Sequence, residues 1–246
     1  MKSSFISVMT VCVILCSAST PIFGQFETDT FTTSQGELLI TFIGHGSLIF
    51  DFAGMTIHID PFSRLADYTT LPKADIVALT HEHLDHLDPK ALREIVTDET
   101  TIILTESCTA KGQTGITMHN GDTVMVRGLR IVAVPAYNIV HKRTNGEPFH
   151  PKGKGNGYVM TFGDCTVYIA GDTEVIPEMK DLSDIDIAFL PMNLPYTMTP
   201  EMVSEAARSF RPAILYPYHY GDTDPNRLVE LLAKETDIEV RIRRMR

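Results

Sequence analysis

The chain has 246 residues, 43% of them hydrophobic and 21% charged, the balance of a folded protein, which excludes extensive disorder. Its 21 Lys and Arg against 31 Asp and Glu give a net charge of −10. No long single-sign run accompanies that charge, which argues against a polyanion such as nucleic acid as the main partner. The chain opens on Lys2 and an apolar stretch from Phe5 to Leu15, too short to span a bilayer at about 20 residues yet suited to the core of a secretory signal. Small residues Ser17, Ala18 and Ser19 follow, then Pro21 and Gly24.

Residues 1–24 therefore read as a signal peptide, cut after Ala18, Ser19 or Gly24, and residues 25–246 as the exported part, periplasmic or secreted. Lipid anchoring at Cys16 ranks second, because Leu15 stands where a small residue is expected. Processing would remove Cys12 and Cys16 and leave Cys108 and Cys165. Neither of these has zinc-ligand spacing, so both read as structural, and export would permit a disulfide between them.

Beyond the signal, short apolar runs alternate with turn residues. Leu38 to Ile43, Ser47 to Phe52 and Met55 to Ile59 are separated by Gly44, Gly46 and Asp51 to Gly54, which predicts a strand meander. The turn Gly44-His45-Gly46-Ser47 reads as glycine-rich with an exposed histidine, the second reading being that it brings His45 near a metal site at the strand ends. Ile76 to Leu79 reads as a buried strand, and Asp88-Pro89 as the cap and first residue of a helix running to Val96. Further strands are predicted at Thr101 to Thr105, Thr123 to Val126, Leu129 to Val134, Tyr158 to Phe162, Val167 to Ala170, Ile187 to Leu190 and Ile214 to Tyr216. Helices are predicted at Pro200 to Phe210 and Asn226 to Glu235. Arg241, Arg243, Arg244 and Arg246 read as a solvated tail. No Pro/Ser-rich linker divides the chain, so these elements predict one α/β domain with two sheets and outer helices.

The chemistry gathers where strands end. His81-Glu82-His83-Leu84-Asp85-His86 follows the run Ile76 to Leu79. In an extended segment His81 and His83 point the same way, toward one shared ion, while Asp85 and His86 turn the other way with the charge and the imidazole that a second ion needs. The histidines are two and three apart, unlike the helical HExxH of zinc proteases. Gly171-Asp172-Thr173 sets a short carboxylate at another strand end, where Gly171 permits close backbone approach, and His219 follows Ile214 to Tyr216. Histidines and carboxylates without a cysteine suit zinc, iron or manganese. Two such ions about 3.5–4 Å apart would share a water and bring its pKa to about 7, giving a metal-bound hydroxide as nucleophile. Lys152-Gly153-Lys154-Gly155-Asn156-Gly157 lacks the spacing and the following helix of a nucleotide loop and reads as a flexible rim facing an anionic substrate.

The pattern His81-x-His83-x-Asp85-His86 resembles the signature of the metallo-β-lactamase superfamily. Thr80 and Leu87-Asp88-Pro89 around it look like the lactonase-like branch that includes ascorbate-6-phosphate lactonase. Val134 to Asn138, His150-Pro151-Lys152-Gly153, Ala170 to Thr173 and Pro217 to Tyr220 extend the likeness from about Leu38 to Asp222. The resemblance implies an αββα four-layer sandwich with a two-metal site on the edge where strands end. It further implies that His81 and His83 hold a first divalent ion, Asp85, His86 and His219 a second, and Asp172 both, with Asp85 and Asp172 as the catalytic residues orienting the nucleophile. The histidine often found after the Pro-Ala pair is Asn138 here, and His150 is the preferred third imidazole, with His141 behind it. The expected activity is hydrolysis of a small-molecule phosphoester, phosphodiester or lactone. A β-lactamase-type amide hydrolase and a di-iron redox or metal-binding protein are the alternatives.

The signal-peptide reading makes the first testable expectation. N-terminal sequencing of the functional protein, recovered from outside the cytoplasm, should find a start between Ser19 and Gln25, and recovery of Met1 in that form would refute it.

Overall fold

A computed structural model describes residues 25–246, so the predicted signal peptide lies outside the described residues. The first sheet runs in chain order. Strands β1 (Glu27–Thr33), β2 (Gly36–Gly44), β3 (Ser47–Phe52) and β4 (Met55–Ile59) are antiparallel, and β5 (Ile76–Ala78), β6 (Thr101–Leu104) and β7 (Ile116–Thr117) continue parallel to β4. The second sheet repeats this plan. Strands β8 (Thr123–Val126), β9 (Leu129–Ala136), β10 (Gly155–Phe162) and β11 (Cys165–Ile169) are antiparallel, and β12 (Ile187–Pro191), β13 (Ile214–Tyr218) and β14 (Glu239–Val240) run parallel to β11. Strands such as β5 and β12 are buried at every position, as parallel strands covered on both faces must be.

The sheets pack through apolar and aromatic side chains. Phe50 of β3 meets Phe162 of β10 edge-on at 5.6 Å, and Phe189 of β12 stacks on Tyr216 of β13 at 5.1 Å, with Phe42 of β2 against that Tyr216 at 5.0 Å. Helix α1 (Pro89–Ile95) covers the outer face of the first sheet, burying Ala91, Leu92 and Ile95 against Val77, Leu79 and Ile102. Asp88 caps it through the Lys90 N–H at 2.8 Å, and Pro89 occupies its first turn. A short helix α2 (Glu106–Thr109) follows β6. On the far side lie a 3-10 turn (Pro177–Asp181), α3 (Pro200–Phe210) and α4 (Asn226–Leu232). The result is the four-layer α/β sandwich expected from the sequence. Among the described residues no helix is long and apolar enough to cross a membrane.

Two expectations need correction. The glycines of Gly155-Asn156-Gly157 form no flexible rim: these residues open β10 and are buried. Of the C-terminal arginines, Arg244 and Arg246 are solvated as expected, but Arg241 and Arg243 are not. Arg243 Nη2 lies 2.7 Å from both carboxylate oxygens of Asp29 on β1, its guanidinium sits over the rings of Phe42 and Tyr216, and Met245 is fully buried. The tail thus ties β1, the edge of the first sheet, to β13 of the second. Cys108 and Cys165, whose pairing the sequence left open, form no disulfide among the described residues. Strand β1 escaped the pattern reading because its sequence, Glu-Thr-Asp-Thr-Phe-Thr-Thr, is almost wholly polar, as suits an edge strand with one half-covered face.

The aromatic contact between the sheets generates a stability prediction. Phe189 is fully buried, so Phe189→Ala should lower the unfolding free energy by about 3–5 kcal/mol in urea denaturation. A loss below about 1 kcal/mol would show that the sheets do not depend on this cluster.

Candidate metal centre

The carboxyl ends of parallel strands converge on one edge of the sandwich, the usual place for a site in α/β folds. Asp60 follows β4, the His81–His86 run follows β5, Asp172 follows β11 and His219 follows β13, while His45 comes from the turn between β2 and β3 and His150 from the segment before β10. Three of these residues, His45, Asp60 and His219, adopt left-handed backbone with φ of 52°, 42° and 48°. Non-glycine residues rarely hold that conformation, and it persists only where the surroundings enforce it. Here the His219 N–H donates to the His45 carbonyl at 2.9 Å, locking two of the three together. Two glycines make the close approach possible. A Cβ on Gly46 would lie 3.0 Å from the His86 ring, and Gly171, at φ 65°, would press a Cβ to 2.9 Å from the Asn156 carbonyl.

The ligand-type side chains fall into two groups that meet at Asp172. In the first, His81, His83 and His150 bring one ring nitrogen each within 4.8 Å of one another. In the second, one ring nitrogen each of His45, His86 and His219 and a carboxylate oxygen of Asp85 do the same. Asp172 faces both: its Oδ2 lies 3.2 Å from His150 Nε2 and 3.9 Å from His81 Nε2, and its Oδ1 lies 3.6 Å from His86 Nε2 and 3.7 Å from His219 Nε2. Asp85 Oδ2 sits 3.0 Å from His45 Nε2, 3.6 Å from His219 Nε2 and 3.8 Å from His86 Nε2. All seven residues singled out as ligands in the sequence, His81, His83, Asp85, His86, His150, Asp172 and His219, are therefore together. His141 is elsewhere, with its Nδ1 2.6 Å from Glu174 Oε1.

Residues that the sequence left obscure hold this arrangement. The buried Asp60 carboxylate accepts from the Thr80 N–H at 2.8 Å, the Thr80 hydroxyl at 2.6 Å and His86 Nδ1–H at 2.8 Å, which fixes the His86 tautomer and turns its Nε2 inward. Its only sequence signal was a charged residue directly after the apolar strand Met55–Ile59. Asn138 holds His150 in the same way, its Oδ1 accepting from the His150 N–H at 2.8 Å and from Nδ1–H at 2.7 Å. Asn138 is in turn fixed by donating to Glu174 Oε1 at 3.0 Å. The fully buried Glu174 also accepts from the N–H groups of Ile139, Val140 and His141. His45, expected as an exposed turn histidine, has a side chain only 19% exposed, and its Nε2–H donates to Asp85.

The electrostatics favour a cation at this edge. Burial alone would depress the His86 pKa, yet the carboxylates of Asp172, Asp60 and Asp85 outweigh it and push it up to about 10. A fully buried imidazole that draws in a proton reports a strongly negative surrounding. Burial, aided by the charge of His86, holds His81 well below the ordinary histidine value, and burial with His150 lowers His83. Both are thus neutral near pH 7, as ligands must be. Asp172 and Asp85 are held below the usual carboxylate range despite burial, the first chiefly by the charges of His219 and His86, the second chiefly by the His219 ring 3.6 Å away and the hydrogen bond from His45. His86 Nε2, Asp172 Oδ1 and His219 Nε2 are buried without a hydrogen-bond partner among the described residues, and both nitrogens lie within 3.7 Å of that Oδ1. Buried polar atoms are seldom left so. A divalent cation there would satisfy all three at once, so the residues fit a metal ion.

If Asp60 acts through His86, Asp60→Ala should weaken metal binding by about 10- to 100-fold in a chelator competition while the fold is retained. Unchanged affinity would show that His86 needs no such partner.

Comparison with known proteins agrees with this geometry. The model of the "Beta-lactamase superfamily domain" family matches residues 39–219. A "UPF0173 metal-dependent hydrolase" of Methanoculleus marisnigri is 34% identical over 192 residues, 76% of this chain and 82% of its own length. The crystal structure of a protein from Parabacteroides distasonis, named provisionally as a metal-dependent hydrolase, is 52% identical and superposes with a TM-score of 0.86 over 90% of this chain and 100% of that one. Igni18, a metallo hydrolase from Ignicoccus hospitalis, is 26% identical with a TM-score of 0.68 over 83% and 94% of the two chains. With a family match spanning most of its length and a histidine–aspartate cluster able to bind metal at the strand ends, the chain belongs to the β-lactamase superfamily and is one of its metal-dependent hydrolases.

Proposed function

We propose that the protein is a two-metal hydrolase of small-molecule phosphoesters, phosphodiesters or lactones, with zinc as the first metal to test. The observation that carries this reading is the carboxylate of Asp172, whose two oxygens face two separate groups of imidazoles. In this reading His81, His83 and His150 hold one ion, Asp85, His86 and His219 the other, and Asp172 spans both. Two bound divalent ions supply an activated water as nucleophile and polarise the oxygen of the scissile bond. The protein's own residues supply the rest. Asp85, whose side chain is 36% exposed, reaches both the metal side and the cavity above it, so it is suited to orient the attacking water by accepting its hydrogen bond. His45 steadies Asp85 for that task through its Nε2–H. Asp172, only 5% exposed, does the same from the dry side, where a fixed carboxylate acts without reorganisation.

The lactonase-like likeness of the residues around the His81–His86 run favours lactone and phosphoester bonds over amides. Export to the periplasm or beyond remains part of the proposal, since it rests on residues 1–24 alone. An enzyme there would meet substrates from the surroundings rather than cytoplasmic intermediates.

The proposal predicts two metal ions per chain by elemental analysis and turnover in a screen across phosphoester, phosphodiester, lactone and amide compounds. Asp172→Ala should lose most bound metal and nearly all turnover; retention of both metals with full turnover would overturn the role of this residue. His150→Ala should release metal to a chelator more readily than the parent, whereas His141→Ala should not. The opposite order would reverse the assignment of the third histidine.

A further inference from the structure

A cavity of about 510 Å3 opens over the metal centre, lined by the site residues and by Leu84, Arg143, Phe149, Asn193 and Tyr196. Its two carboxylates, Asp85 and Asp172, are committed to histidines. Arg143 is its one cationic side chain among the described residues. Of the two lysines expected to face an anion, Lys152 is otherwise engaged, its Nζ 2.7 Å from Glu178 Oε1 and over the Tyr137 ring, and Lys154 lines a separate, much smaller pocket beside His81 and His150. Arg143 has no carboxylate partner among the described residues. Its guanidinium lies over the Phe149 ring at 5.1 Å and donates once, from Nη2 to the Phe149 carbonyl at 3.2 Å. A guanidinium has five N–H donors in a fixed fork, so four are left for a ligand.

The segment that carries Arg143 is built to hold it still. Asn138 and His150 close its base through the Asn138 N–H to the His150 carbonyl at 2.9 Å. Lys142 and Pro148 form a bridge, and the Arg143 N–H donates to the Glu147 carbonyl at 2.7 Å, making a tight hairpin whose turn passes through Gly146 at φ 87°. Glu174 anchors the near side from below through the N–H groups of Ile139, Val140 and His141. Opposite stands Tyr196, edge-on to Phe149 at 5.0 Å, its carbonyl accepting from Asn138 Nδ2 at 2.9 Å. Large apolar side chains that are exposed collect on these same loops. Leu84 is 59% exposed, Val140 66%, and Ile139, Leu194 and Tyr196 each 45%. Leu84 and Tyr196 line the polar cavity itself, and exposed apolar side chains in such a lining mark a ligand surface rather than scatter.

We infer that the substrate is an amphiphilic anion, with a carboxylate or phosphate-type oxyanion seated on Arg143 and an adjoining apolar or ring portion against Phe149, Tyr196 and Leu84. The inference rests on the hydrolase reading of the same cavity but concerns recognition, not the reaction. Arginine suits the task because its planar fork matches two oxygens of a carboxylate or phosphate, which a lysine's point charge does not.

The test is equilibrium binding to the metal-loaded protein, which does not require turnover. Phenylphosphonate serves as the anionic probe and benzyl alcohol as the neutral one, each with the parent, Arg143→Gln and Arg143→Lys, with metal content checked in all three. Arg143→Gln should weaken phenylphosphonate about 10- to 100-fold, the effect of losing charge-assisted hydrogen bonds, and change benzyl alcohol less than about twofold. Arg143→Lys should recover part of the loss. Equal phenylphosphonate affinity in the parent and Arg143→Gln would mean that the metals alone hold the anion, and would overturn the inference. Equal weakening of both probes would overturn it as well, as a general disturbance of the loop. If no compound is hydrolysed while phenylphosphonate binding still depends on Arg143, the hydrolase reading fails and the anion site stands.

Discussion

A buried carboxylate that must face two clusters of imidazoles at once is the constraint around which the rest of this protein is arranged. Asp172 is 5% exposed and its Oδ1 has no hydrogen-bond donor among the described residues. Left so, it would cost the full desolvation of a charged oxygen. The fold accepts this because the histidines come from different strands of two sheets and cannot be drawn together by local structure alone. Gly171 lets the chain turn close against Asn156 and Thr80, and the left-handed backbones of His45, Asp60 and His219 bend three further strand ends toward the same spot. The twice-repeated strand plan, hairpins leading into parallel strands, is what puts these ends on one edge. A cation there repays strain and desolvation together, so folding and metal binding are linked.

Much of this was legible in the sequence wherever the chemistry is local. His81, His83, Asp85 and His86 lie within six residues, so spacing alone separates them into two directions. Asp172 and His219 are each the first charged or imidazole group after an apolar strand. The strands of the core were legible for the same reason, as runs of apolar residues between turn signals. What was hidden depends on contacts distant in sequence. Asp60 is 26 residues from His86 and its role exists only through that pairing. Asn138 looked like a missing histidine, whereas it holds the histidine that comes from 12 residues further on. His45 gave the appearance of a turn residue because glycines flank it; the left-handed turn that those glycines permit is what carries its ring into the site. Arg243 looked solvated because its partner, Asp29, lies over 200 residues away.

The loop from Asn138 to His150 joins the chemistry to recognition. Its base supplies a ring to the metal centre, its tip supplies Arg143, and one buried carboxylate, Glu174, fastens its near strand. A loop so tied should move little when substrate binds, and the geometry of the anion relative to the reacting bond is then set by the protein rather than by the ligand. This division also accounts for how one metal centre can serve many substrates in one superfamily: the strand ends fix the ions, and the loops above them choose the molecule.

The central claim is that Asp172 is shared between two metal ions, and anomalous diffraction from crystals of the metal-loaded protein, recorded at the absorption edge of the bound metal, tests it most directly. The account predicts two peaks about 3.5–4 Å apart, one beside His81, His83 and His150 and one beside Asp85, His86 and His219, with one oxygen of Asp172 about 2.0–2.2 Å from each if the metal is zinc. A single peak, or two peaks with Asp172 bound to only one of them, would contradict it.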